Sequence, residues 1–225
     1  MATDLKQNEI RVLGCLIEKQ LTTPDYYPLT LSALVTACNQ KSNREPVLSL
    51  SENDVLDAIT GLNQQNLARE KQMPHARVAK YEHKMSDTLT KQYDFSQKEL
   101  AVLTVLFLRG PQTPGEIRSR TNRMYNFTTL EEVDETLRTL AVEKSEPYVK
   151  ALSRQPGRRE IRYAQLFGEH DLSVDNNTDE HIPVSSMERS SSESVSSEVE
   201  ALRDDVAELR QELAELKQMV DDLLK

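Results

Sequence analysis

Residues 51–65, SENDVLDAITGLNQQ, and residues 129–143, TLEEVDETLRTLAVE, carry the same apolar spacing. Val55, Ile59 and Leu62 recur at intervals of 4 and 3. Val133, Leu137 and Leu140 repeat those intervals 78 residues later. Such spacing gathers three branched side chains on one stripe of a helix. Ser51 with Asp54, and Thr128 or Thr129 with Glu131 or Glu132, supply capping oxygens and negative charge at each N-terminus. Two helices with matching stripes predict an internal repeat.

Working outward, each of these helices is preceded by a longer apolar one. Residues 8–20 place Ile10, Leu13, Leu16 and Ile17 at helical spacing, and residues 96–109 do so with Leu100, Leu103, Leu106 and Phe107. Each run is followed by a Thr-Pro pair, Thr23-Pro24 and Thr113-Pro114, marking a stop and the restart of a short second helix. Those pairs are offset by 90 residues because the first half carries the longer DYYPLTLSA and NQKSNREPVLSL segments. After each third helix the pattern turns strand-like. Leu67-Ala68-Arg69 is followed by Val78-Ala79-Lys80-Tyr81, and Tyr148 to Leu152 by Ile161-Arg162-Tyr163. The second pair closes on Arg154-Gln155-Pro156-Gly157-Arg158-Arg159, a Pro-Gly hairpin tip. Three helices closed by a two-stranded ribbon, twice, is the plan of two tandem winged helix-turn-helix domains. The expected class is therefore mainly α within an α+β fold, with domains at 1–92 and 93–168.

Two stretches carry a family resemblance: GCLIEKQLTTPDYYPLTLSALVTACNQKSNREPVLSLSE (residues 14–52) and LRGPQTPGEIRSRTNRMYNF (residues 108–127). They closely resemble the YceH-like bacterial family over roughly residues 5–168. The resemblance implies tandem winged helices in a bacterial cytosol and carries no catalytic residue with it.

The rest of the chain is read from its own physics. Net charge is −9, but residues 1–168 carry +2 and residues 169–225 carry −11. Residues 169–194, Ser-rich and acidic, lack the apolar groups needed to offset ordering entropy and are expected to be a disordered linker. Its typical span is on the order of 30 Å. Beyond it, within residues 195–225, Val199, Leu202, Val206, Leu209, Leu213, Leu216, Val220 and Leu223 alternate by 3 and 4. Val or Leu at a and Leu at d favour a parallel coiled-coil dimer, and Glu198–Arg203, Asp205–Arg210 and Glu212–Lys217 are attractive g-to-e′ pairs. A trimer stays open, because no buried Asn sets the strand number. So does an amphipathic helix folding back on the domains.

No apolar run approaches the length of a membrane span, and MATDLKQNE lacks the plan of a signal peptide, so the expected location is the cytoplasm. Cys15 and Cys38 form no metal-ligand spacing and are expected to be buried thiols. His75, His83, His170 and His181 are scattered and are expected at the surface. No metal and no cofactor are expected. Six glycines form no phosphate-cradling loop, and neither G-x-S-x-G nor H-E-x-x-H occurs, so an enzyme is the least supported class.

Binding is the remaining chemistry. Lys41, Asn43 and Arg44 precede the first of the third helices, and Arg118, Arg120 and Arg123 precede the second. Arg154, Arg158, Arg159 and Arg162 make a basic wing. These donors suit phosphate oxygens of double-stranded DNA. The third helices themselves are net acidic and would be repelled by a groove. Two readings follow: a dimeric DNA-binding regulator that uses loops and wing, or a protein-interaction module within a larger assembly. Fold analogy favours the first and the acidic helices favour the second.

Overall fold

In the computed structural model, which describes residues 4–71, 78–86, 93–154 and 160–168, each half opens on a helix sunk in the core. The first half runs α1 (Gln7–Thr22), a 3₁₀ turn (Pro24–Tyr26), β1 (Leu29–Thr30), α2 (Leu31–Cys38), α3 (Glu52–Gln64), β2 (Ala68–Lys71) and β3 (Lys80–His83). The second runs α4 (Gln97–Arg109), α5 (Pro114–Thr121), α6 (Leu130–Arg138), a π-helical turn (Thr139–Glu143), β4 (Val149–Ala151) and β5 (Tyr163–Gln165). The described residues form an α+β arrangement within one compact unit. The tip residues Arg158 and Arg159, His75, His170, His181, the linker and the heptad seam lie outside them.

The helix starts follow capping chemistry. Ser51 Oγ accepts from the Asp54 N–H at 3.2 Å, while Asp54 Oδ2 accepts from the Ser51 N–H at 2.7 Å, satisfying two donors that a helix start leaves open. Thr113 and Glu116 do the same for α5, with Pro114 at the first helical position. At α6 the cap is Thr129, whose hydroxyl accepts from the Glu132 N–H at 3.3 Å.

The two Thr-Pro pairs diverge. Thr113-Pro114 starts α5 directly, whereas Thr23-Pro24 opens only a 3₁₀ turn, and α2 begins at Leu31. The intervening residues supply β1, a strand the ribbon expectation lacks. It pairs Leu29 with Tyr81 on the free edge of β3, giving an antiparallel sheet in the order β1-β3-β2. In the second half β4 and β5 pair through Val149–Gln165 and Ala151–Tyr163, and a single bridge from Gln112 to Tyr163 stands where β1 stands in the first.

The repeated stripes are buried: Val55, Ile59 and Leu62 are at most 5% exposed, and Val133, Leu137 and Leu140 are fully covered. α1 and α4 are buried on more than one face, with Val12, Leu13, Cys15, Leu16 and Ile17 covered in one and every residue from Leu100 to Leu108 in the other. The reason is that each packs inside its own half and also against the other, so the halves share one apolar core. Gly14 sits at this crossing. A Cβ there would lie 2.9 Å from Leu108 Cδ2 and 3.0 Å from Phe107 Cβ. Five aromatics, Tyr93, Phe95, Phe107, Tyr148 and Phe167, cluster next to this crossing, with Phe95–Tyr148 centroids 4.8 Å apart and Phe107–Phe167 at 5.2 Å. Each such edge contact adds about 0.5–1.5 kcal/mol beyond area burial.

Cys15 and Cys38 are free and buried. His83 departs from the surface expectation and is 7% exposed. It is the last of three consecutive buried residues on β3, Tyr81 to His83, and its backbone N–H donates to the Tyr27 hydroxyl at 2.7 Å. Tyr27 lies on the segment entering β1, so the unforeseen strand brings with it the cover that buries the imidazole.

Candidate anion and nucleic-acid interface

The third helices present acid to solvent. α3 exposes Glu52, Asp54 and Asp57, and α6 exposes Glu131, Asp134 and Glu135. Hydrogen bonds from Ser51 hold the Asp54 carboxyl below its ordinary range, and those from Tyr125 and Thr128 do the same for Glu132. Arg138 is the basic residue of the α6 surface, and it is engaged by Glu135 and Glu143, each at 2.7 Å.

The basic candidates divide by what their donors already do. Arg44 is interior. Its Nη1 and Nη2 reach the Glu18 carboxylate at 3.0 and 2.6 Å, its Nε reaches the Ala37 carbonyl at 3.1 Å, and Asn43 O and Gln40 Oε1 take the remaining donors. With a fully covered side chain it joins α1 to the loop after α2 and presents no donor to a phosphate outside. The sequence places it beside Lys41 in a polar loop, but a guanidinium folds inward when a carboxylate and several carbonyls converge on it. Burial raises the Glu18 carboxyl, but the Arg44 hydrogen bonds and charge outweigh this and hold it low. Arg118 is exposed and donates to the Phe127 and Thr128 carbonyls, steadying the turn before α6. Arg162 donates from Nε and Nη2 to the Pro111 carbonyl at 3.2 and 2.7 Å, tying the root of the wing to the end of α4. Lys41, Arg123 and Arg154 are exposed.

Three of the sequence candidates, Asn43, Arg120 and Arg123, meet at one cleft of about 140 Å³. The loop after α2 supplies one wall and the end of α5 another. Two residues that spacing does not single out complete it: Lys19 from the last turn of α1, and Arg109, the last residue of α4. Four cations thus border the cleft against one carboxylate, Glu18, which Arg44 and Lys19 already bind. Asn43 has φ 59°, a left-handed conformation that Asn tolerates, and its Oδ1 accepts from Arg109 Nη2 at 2.6 Å. Arg120 Nη2 lies 3.4 Å from Glu116, while its Nη1 is enclosed and makes no hydrogen bond among the described residues. Burial lowers the Arg109 pKa, and the neighbouring Arg120 charge lowers it further. Crowded cations with an unsatisfied donor suit an oxyanion chemically.

Among the described residues no group of three or more His, Cys, Asp or Glu side chains could hold a metal ion. No described helix is long and apolar enough to cross a membrane.

A family model described as "Protein of unknown function, DUF480" matches residues 5–158. A UPF0502 protein of Aliivibrio salmonicida is 52% identical over 161 residues, covering 72% of this chain and 73% of that relative. UPF0502 proteins of Vibrio cholerae and Vibrio atlanticus are 49% and 48% identical over 175 residues, covering 77% of this chain and 81% and 80% of theirs.

Proposed function

The chain belongs to the DUF480/UPF0502 family of bacterial proteins, and from its geometry we propose that it is a tandem winged-helix regulator, cytoplasmic and dimeric, that holds double-stranded DNA by its backbone. Support for the winged-helix reading comes from the order of elements. Helix, strand, helix, helix, strand, strand runs through the first half, and the second repeats it with the Gln112 bridge in the strand position. The observation that carries the DNA reading is the separation of charge. Lys41, Arg123 and Arg154 lie exposed on loops and wing, whereas both third helices show carboxylates. Phosphate contacts from loops position a protein on a duplex without reading bases. Dimerisation through the heptad segment would link two weak sites and raise their avidity.

The test is retention of random duplex DNA by the full chain across a salt series. A variant with Lys41, Arg123 and Arg154 changed to alanine should bind more weakly, with a flatter salt slope by about 0.9 per lost phosphate contact. A full-length protein with no salt-dependent binding overturns the reading. That result would favour the second one, a protein-interaction module, which the exposed Leu56 and Leu130 among the acids of α3 and α6 support.

A further inference from the structure

We propose that the cleft between the loop after α2 and the end of α5 is an effector site for a small phosphate-bearing molecule, held by Arg109 and Arg120 with help from Asn43, Lys19 and Arg123. The cleft lies where the two halves meet, and each half contributes donors: Lys19 and Asn43 from the first, Arg109, Arg120 and Arg123 from the second. The shape of the group follows from the number of donors. A planar carboxylate is satisfied by one guanidinium fork, whereas a tetrahedral dianion takes donors from several directions at once. A water needs about 10–15 Å³ of such space. The 140 Å³ cleft therefore admits a phosphate together with several further heavy atoms of an ester.

Two features of the walls favour occupancy by an anion. The enclosed Nη1 of Arg120 has no acceptor among the described residues, and leaving a buried charged donor unpaired is costly. Arg109 is held in place through Asn43, whose side-chain amide keeps its own protons available for a ligand. The counter-charges are also engaged. Glu18 is neutralised by Arg44 at 2.6 Å and Lys19 at 3.4 Å, and Glu116 reaches only Nη2 of Arg120. Because the ligand would touch both halves, its binding would stabilise their packing. The site is thereby placed to couple small-molecule binding to whatever the outer loops hold. This proposal stands apart from the DNA reading in its principal donors, Arg109 and Arg120, which that reading does not use; only the exposed Arg123 at the cleft's rim is common to both.

The experiment titrates the full chain with inorganic phosphate and with pyrophosphate at constant ionic strength, chloride making up the balance, by calorimetry and thermal unfolding. Expected are one saturable site per chain and a melting temperature that rises with ligand. Binding should weaken about tenfold or more in Arg109→Gln and in Arg120→Gln, each the loss of a charged hydrogen-bond donor. Arg120→Lys, which keeps the charge without the fork, should fall between, and Arg138→Gln on the α6 surface should match the parent. An excess of random duplex should leave phosphate binding in place. Absence of saturation, or equal binding by the parent and by both folded glutamine variants, overturns the proposal. Displacement of phosphate by duplex also overturns it, because the cleft would then belong to the DNA backbone. Failure of the salt-series experiment, by contrast, leaves this one unaffected.

Discussion

Lowering the pH from 7.5 to 5.0 should cost this protein stability through the buried side chain of His83. Its Nδ1 accepts from the Met85 N–H at 3.1 Å, so the ring proton sits on Nε2, where it donates to Gln20 Oε1. Both nitrogens are satisfied only in this neutral tautomer. A second proton on Nδ1 would face an N–H. Burial accordingly pushes the imidazole from 6.5 down to about 4, with the Glu82 charge pulling weakly the other way. The unfolded chain takes up its proton as the pH falls through about 6.5 and the folded chain only near 4, so the unfolded state binds more protons in between. The stabilisation is complete above 6.5 and declines below it. The loss is about 2 kcal/mol by pH 5 and approaches about 3 kcal/mol below pH 4. Glu18 and Glu82, whose carboxyls are held low by their Arg and Lys partners against the opposing effect of burial, lose their contributions only as the pH falls through and below the ordinary carboxylate value of 4.5. Among the described residues, the interval from 6.5 to 5 therefore reports His83. Urea unfolding of the parent and of His83→Gln at pH 7.5 and 5.0 measures it, and the variant should lack about 2 kcal/mol of the pH dependence. Identical pH dependence in the two proteins, or a folded-state imidazole that titrates near 6.5 by NMR, would refute the reasoning.

Arg44→Met should lower stability by about 3 kcal/mol in urea, because the nearly buried Glu18 loses its bidentate partner and keeps only Lys19 at 3.4 Å. Duplex affinity and salt slope should be unchanged by that substitution, which separates an interior arginine from a contact residue. Gly14→Val should cost about 1–3 kcal/mol, since its side chain meets Leu108 and Phe107 across the α1–α4 crossing. Unfolding midpoints compared with a surface Val substitution on α3 would show it. Leu209→Asp with Leu216→Asp should yield a monomer with intact domains, because a charge in an a/d seam has no partner. Sedimentation velocity decides the matter, and a parent that is itself monomeric at all concentrations removes the dimer.

Helix identity was legible in the sequence because it depends on local periodicity. The 4,3 spacing of Val55, Ile59, Leu62 and of Val133, Leu137, Leu140 needs only a helical repeat and a dry side, and all six are buried. The cap at Ser51 was legible for the same reason, since the capping hydroxyl and the N–H that donates to it lie three residues apart, and the structure selects Thr129 from the two threonines the sequence offered for α6. Cys15 and Cys38 followed from the apolar character of the thiol. What depends on distant partners was not legible. β1 exists because β3 offers it an edge some fifty residues later, and His83 is buried because that edge brings Tyr27 with it. Arg44 reads as a loop cation until Glu18 on α1 is placed beside it. Lys19 and Arg109 end two helices that nothing in their spacing connects. Only the packing of α1 on α4, permitted by Gly14, brings them into one cleft with Asn43 and Arg120. Periodicity determines which face of an element is dry, while the charges that share a site are decided by which dry faces meet.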